Sequence, residues 1–265
     1  MLDSADSWNL RTEADLYPLV LYGFLAVAAL TFPLLFFISA PYGRHARDGW
    51  GPKINATLAW VLMEAPSPIV FGLCWLVGEP TRRWSIAGLA FLVLWETHYL
   101  NRTFVFPFRR RGGQKDMPLS IALTALTFNL FNAYVNGRWL FLIGPARGVE
   151  WLRDPRFLVG AAMFAFGFFV NQQSDHILFH LRKPGETGYK IPRGGFYRFV
   201  SCPNYFGEIV EWTGFAILTW SPGAVAFVLW TIANLMPRAR THHQWYRDKF
   251  PDYPPERRAI FPLIY

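Results

Sequence analysis

Residues 205–236 read YFGEIVEWTGFAILTWSPGAVAFVLWTIANLM, an apolar run too long for one membrane crossing, because a span needs roughly 20 mostly apolar residues. Ser221-Pro222-Gly223 breaks it. Proline removes a backbone donor and restricts the residue before it. The run therefore divides into segments 204–220 and 222–249, the second continuing past the bilayer as a wetted helix through His242 and Tyr246. This division decides the fold, because it raises the number of spans from six to seven.

Five further segments qualify by the same rule: 17–40, 54–77, 84–108, 118–143 and 157–180. Loop charge tests the count. With the N-terminus outside, the inside segments hold eighteen Lys and Arg and the outside segments six, while Arg102 and Arg138 lie within spans. That bias follows the positive-inside rule. It predicts an all-α integral membrane protein with seven transmembrane helices, an outside N-terminus and a cytoplasmic C-terminus. The 265 residues form a single membrane domain, preceded by a polar, acidic segment at 1–16 that lacks the basic start of a cleavable signal.

Composition agrees. Charged residues make up 17% of the chain and aromatic residues 18%, whereas a soluble domain carries about 25% charged residues. The net charge of +8 lies in loops and meets anionic headgroups. No basic stripe marks a soluble face, so nucleic acid is not an expected partner. Cys74 and Cys202 form no pair motif, which excludes a disulfide framework and a cysteine zinc site. His176 and His180 have the i, i+4 spacing of a metal pair, but no third ligand lies nearby in sequence, so no metal is expected.

Ionisable groups at membrane depth cost at least a few kcal/mol each and are functional candidates for that reason. Glu64 precedes Pro66 and Pro68, which predicts a kink that opens the helix near its middle. Glu96, Tyr99 and Arg102 are three apart and can share one face. Asn171, Asp175 and Arg182 fall at i, i+4 and i+11. Asn204, Glu208 and Glu211 form one polar stripe, and Arg238, His242 and Tyr246 form another. Facing each other, these two would make a charged cleft at the cytoplasmic end. Arg and His there suit phosphates, and Asn and Glu suit ribose hydroxyls or an amide. No glycine-rich phosphate loop is present, so a nucleotide would be held by helix side chains.

These motifs occur in order. Pro41-Tyr42-Gly43-Arg44-His45, Glu64-Ala65-Pro66-Ser67, His98-Tyr99-Leu100-Asn101-Arg102-Thr103 and Asn171-Gln172-Gln173-Ser174-Asp175 come first. Arg182-Lys183-Pro184-Gly185-Glu186, Asn204-Tyr205-Phe206-Gly207-Glu208, Asp252-Tyr253-Pro254 and Arg257-Arg258-Ala259-Ile260 come after them. From about residue 41 to the end the chain resembles the steroid 5α-reductases (3-oxo-5α-steroid 4-dehydrogenases), a bacterial member above all. The resemblance implies NADPH in a cleft open to the cytosol and hydride transfer to C5 of a 3-oxo-Δ4-steroid of the testosterone or progesterone type. It implies that Glu64 and Tyr99 hydrogen-bond the C3 carbonyl, with Met63 and Tyr42 also on the substrate side. Arg102, Asn171, Asp175, Arg182, Tyr189, Asn204, Glu208, Arg238, His242 and Tyr246 would hold the cofactor. The steroid would enter from the bilayer, into a monomer in the inner membrane of a bacterium or the endoplasmic reticulum of a eukaryote. Three positions depart from the pattern: Met63 replaces a Gln, Phe179 a basic residue and Thr241 a His.

Two alternatives resemble the chain less closely: another sterol double-bond reductase, and a membrane methyltransferase of the isoprenylcysteine type, which would bind S-adenosylmethionine. A small-solute transporter fits midplane carboxyls and broken helices, but no repeated halves are visible. Chemistry alone also favours a reductase. Reducing an enone needs its carbonyl oxygen polarised as negative charge develops there. A Tyr hydroxyl and a protonated Glu are both donors, and an apolar pocket favours the protonated form of a carboxyl.

Overall fold

The computed structural model describes residues 4–38, 41, 43–45, 47–109, 116–183, 185, 186 and 188–265, and side chains at all of these except 4–12 and 44. Within them the chain forms ten α-helices: α1 (Ser4–Phe37), α2 (Ala56–Glu64), α3 (Pro66–Leu76), α4 (Pro80–Arg83), α5 (Ile86–Leu100), α6 (Phe106–Arg109), α7 (Leu119–Arg138), α8 (Pro155–Phe179), α9 (Pro203–Thr219) and α10 (Pro222–Lys249). The described sheet is a two-residue antiparallel pair, Lys53–Ile54 with Met117–Pro118. Short π-helical turns at Asn101–Val105 and Trp139–Ile143 extend α5 and α7.

Nine of the ten helices fall in the seven segments read from the sequence, and the short α4 lies between the second and third of them. Two stretches, Glu13–Phe37 and Ala56–Leu76, are long and apolar enough to cross a bilayer. Their surfaces suit lipid. Helix α1 buries Tyr17, Leu21, Phe24 and Ala28 and exposes Leu19, Leu30 and Phe37, the last at 85%. Such an apolar face would be a liability in water.

Proline and its caps explain the break at residues 221–223. Pro222 stands in the first turn of α10, where the missing donor costs nothing, and Ser221 Oγ accepts from the Ala224 amide at 3.1 Å. Helix α8 starts in the same way after Asp154, whose carboxylate accepts from the Arg156 amide at 2.8 Å and the Arg156 guanidinium at 2.7 Å. The guanidinium, then the amide, hold this exposed carboxyl down at about 2. The cap is therefore fully formed above the ordinary Asp range near pH 4 and is lost as pH falls toward 2. The Tm difference between wild type and Asp154→Ala should shrink over that window and be constant above about pH 5.

From Ser4 the polar N-terminal segment is not set off by a turn but runs into the first span within α1. Its Glu13 accepts from Arg138 at 2.6 and 2.5 Å and from Tyr134 at 3.0 Å, so a charge that α7 carries within its span has a partner on α1. Nor does the helix open at Pro66. The interruption is Ala65 alone, which keeps helical dihedrals, and Ile69 N still reaches Ala65 O at 3.3 Å.

Helices α8 and α9 approach more closely than side chains permit. Gly160 and Gly167 on α8, and Gly207 and Gly214 on α9, are each seven apart and so lie on one stripe. A Cβ on Gly167 would sit 2.3 Å from Glu211 N and 2.5 Å from Gly207 O, and one on Gly207 would sit 2.6 Å from Asn171 N. Small residues let helix backbones touch in this way inside membranes. The seam sets the separation of the polar residues that come after Gly167 and flank Gly207. At the other side of α9, fully buried Trp95 of α5 stacks on Phe71 at 4.3 Å and meets Tyr99 at 4.9 Å and Trp212 at 5.4 Å.

Candidate active site

Glu64 closes α2, and two of the four residues after it lack donors. Pro66 and Pro68 have no N–H, which thins the backbone ladder at this point. A side chain of α7 compensates: Asn129 Nδ2 donates to the Met63 carbonyl at 2.6 Å and to Glu64 Oε2 at 3.3 Å. Ser67 Oγ donates to Asn129 Oδ1 at 2.8 Å. One turn along α7, Asn132 Nδ2 donates to the Tyr99 hydroxyl at 3.3 Å. Both predicted catalytic groups are thus brought to the same helix, and Tyr99 is buried among aromatic rings.

The α7 asparagines are not among the candidates that the sequence singles out. Asn129, Asn132 and Asn136 fall at i, i+3 and i+7 of an apolar segment, all buried. That spacing puts them on one face, and their cost inside a span is the signal that could have found them.

Arg102 lies in the π-helical turn after α5. Its guanidinium stands 3.9 Å from Glu64 and 3.8 Å from Asp175, over the rings of Phe106 at 4.3 Å and Trp60 at 4.9 Å. It therefore links the Glu64 end of the site to α8. The shared face expected for Glu96, Tyr99 and Arg102 does not form. Glu96 lies by Gly72 of α3 and Tyr99 meets α7, while Arg102 stands in the π turn, whose extra residue shifts the phase of the chain beyond it, and turns to Glu64.

The α8 and α9 residues meet. Asn171 Nδ2 donates to the Asn204 carbonyl at 3.1 Å and lies 3.5 Å from Glu208 Oε2, and Asn204 Nδ2 donates to Asp175 Oδ1 at 3.2 Å. Glu211 does not belong to this cleft. It is fully buried and pairs with His98 Nδ1 at 2.8 Å, tying α9 to α5 beside Tyr99. From α10, Arg238 Nε donates to the Tyr205 hydroxyl at 3.1 Å, and that hydroxyl lies 3.2 Å from His242 Nε2. His45 reaches His242 from the first loop at 3.0 Å. Tyr205 and His45 stand in the sequence motifs, but spacing assigns them no role.

Other predicted residues sit differently. Arg182 lies beyond the end of α8, so the helical register with Asn171 does not reach it, and its Nη1 donates to the Gly188 carbonyl at 3.2 Å. Tyr189 meets Trp245 edge-on at 4.8 Å. Tyr246 is buried in a stack on Tyr253 at 5.3 Å. Met63 packs its side chain against Trp60, Met117 and Ala122, so its polar contribution is the carbonyl that Asn129 uses. Tyr42 lies outside the described residues. At two of the departures, Thr241 Oγ1 bonds its own helix at the Pro237 carbonyl, and Phe179 lies under the Arg109 guanidinium at 5.5 Å.

Comparison with known proteins supplies the family. The family model for 3-oxo-5-alpha-steroid 4-dehydrogenase matches residues 115–265. The chain is 42% identical to steroid 5-alpha-reductase DET2 of Gossypium hirsutum over 97% of its own length and 100% of the relative's. It is 42% identical to 3-oxo-5-alpha-steroid 4-dehydrogenase 1 of Bos taurus, over 90% of this chain and 93% of the relative. The protein of that name from Homo sapiens is 41% identical over 84% of this chain and 86% of its own. The methyltransferase reading gains nothing from these matches. The chain is an oxidoreductase that belongs to the 3-oxo-5-alpha-steroid 4-dehydrogenase family.

Proposed function

We propose that the protein reduces the Δ4 double bond of 3-oxo-Δ4-steroids to 5α-3-oxosteroids with NADPH, as a seven-span monomer whose cofactor cleft opens to the cytosol. The steroid enters from the bilayer. When bound, the cofactor would supply the hydride that adds at C5, and the proton that C4 gains would come from water. Tyr99 and protonated Glu64 each direct an O–H at the C3 oxygen, so the charge developing there is met by prepared donors. Trp95, Trp212 and Phe215 surround that end of the site and exclude water.

The observation that supports this reading is the position of Arg102, within 4 Å of both Glu64 and Asp175. It joins a pocket fit for a lipid carbonyl to a cleft fit for a soluble cofactor. The donor set of that cleft suits NADPH: the amides and carboxylates of Asn171, Asn204, Asp175 and Glu208 match hydroxyls and a carboxamide, and Arg238 and His242 match phosphates. Purified protein should gain thermal stability with NADPH, by the mass-action amount for a ligand of the folded state, and none with S-adenosylmethionine. The reverse order would sink the reductase reading.

A further inference from the structure

An asparagine side chain has a donor end and an acceptor end, and only its neighbours decide which way it points. In α7 the choice is made by backbone carbonyls, which can only accept. Asn136 Nδ2 gives one hydrogen to the Asn132 carbonyl at 2.9 Å and the other to Asn132 Oδ1 at 3.1 Å. With its oxygen so occupied, Asn132 can present only its amino group to the Tyr99 oxygen, at 3.3 Å. The second arm runs the same way. The Met63 carbonyl holds the amino group of Asn129, whose other hydrogen goes to Glu64 Oε2, while its oxygen takes the Ser67 hydrogen. Asn136 Oδ1 is left buried without a hydrogen-bond partner. Such an atom in a core calls for an explanation, and fixing the direction of this chain supplies one.

A phenol oxygen that already accepts keeps its own hydrogen to give. A carboxyl oxygen that accepts from Asn129 leaves any acid hydrogen pointing elsewhere. We infer that Asn129 and Asn132 are positioning residues that set the direction of hydrogen bonding at Glu64 and Tyr99, so that both groups donate toward the substrate carbonyl. This rests on the proposal that the pair polarises that carbonyl.

The test uses the full chain in detergent with NADPH and progesterone, comparing Asn132→Asp with Asn132→Leu, each alone and with Tyr99→Phe. Aspartate has nearly the shape of asparagine but accepts the Tyr99 hydrogen and withdraws it from the substrate. Leucine removes the donor and accepts nothing. The expected loss of kcat is about 100-fold for Asn132→Asp and about 10-fold for Asn132→Leu, with KM for NADPH held within about twofold. On a Tyr99→Phe chain, Asn132→Asp should cost less than about twofold more, since its target is gone. An equal loss with and without the Tyr99 hydroxyl, or a loss that tracks Tm in both variants, would make Asn132 a packing residue and overturn the inference. Asn136→Leu supplies the same cycle if Asn132→Asp does not fold, with about a 10-fold loss that Tyr99→Phe again masks. Wild-type turnover in Tyr99→Phe alone would instead remove the carbonyl-polarising reading and this inference with it.

Discussion

Tyr99→Phe should lower kcat by about 100-fold, the cost of removing one donor from a developing oxyanion, and Glu64→Gln, whose amide still donates but is a far weaker acid than a carboxyl, by about 10-fold, while Kd for NADPH moves by less than about threefold in both. The structure makes both substitutions local. The Tyr99 ring is held by Trp95 at 4.9 Å and Trp212 at 5.6 Å, contacts that phenylalanine keeps. Glutamine at 64 keeps an oxygen for Asn129 and exchanges the acid O–H for an amide N–H. Neither residue is among those expected to hold the cofactor. Single-turnover rates with saturating NADPH separate chemistry from binding. Collapse of NADPH affinity with unchanged turnover per bound cofactor would show that these residues serve the cleft instead of the carbonyl.

Gly167→Ala should be strongly damaging, and Gly167→Leu should yield no folded protein. The new Cβ would meet backbone atoms of α9 at 2.3 and 2.5 Å, and backbone cannot swing aside as a side chain can. Overpacking costs about 1–3 kcal/mol or more, read as a Tm loss of about 2–12 °C. NADPH affinity should fall with it, because the helices must separate where Asn171 meets Asn204 and Glu208. Gly23→Ala is the control. A Cβ there meets nothing within 4 Å, and an alanine helps a helix slightly, so Tm should hold or rise. Equal behaviour of the two variants would mean that the α8–α9 seam does not set the site.

The long helices are legible because each repeats one physical demand, a run of about 20 mostly apolar residues, and because proline marks its own position. Segment 222–249 coincides with α10 for that reason. The carboxylates and Tyr99 stand out by their cost in an apolar setting. Asn129 and Asn132 do not, since an uncharged amide hardly lowers the hydropathy of its segment. Arg102 is legible as a buried charge, but its grouping with Glu96 fails, since ordinary helix spacing cannot show a π turn in advance. The spacing of Glu211 from Glu208 points to the cofactor cleft, but three residues of helix turn it toward His98 instead. The register assigned to Arg182 fails because a periodicity argument holds only while the helix lasts, and α8 ends at Phe179.

The most direct measurement supplies detergent-purified protein with NADPH and progesterone and tracks the enone and the NADPH absorbance together. The account predicts that both disappear in equal amounts and that the product is the 5α-3-oxosteroid. An enone that persists while the folded protein binds NADPH, or NADPH oxidised without loss of the 4-ene, would contradict it.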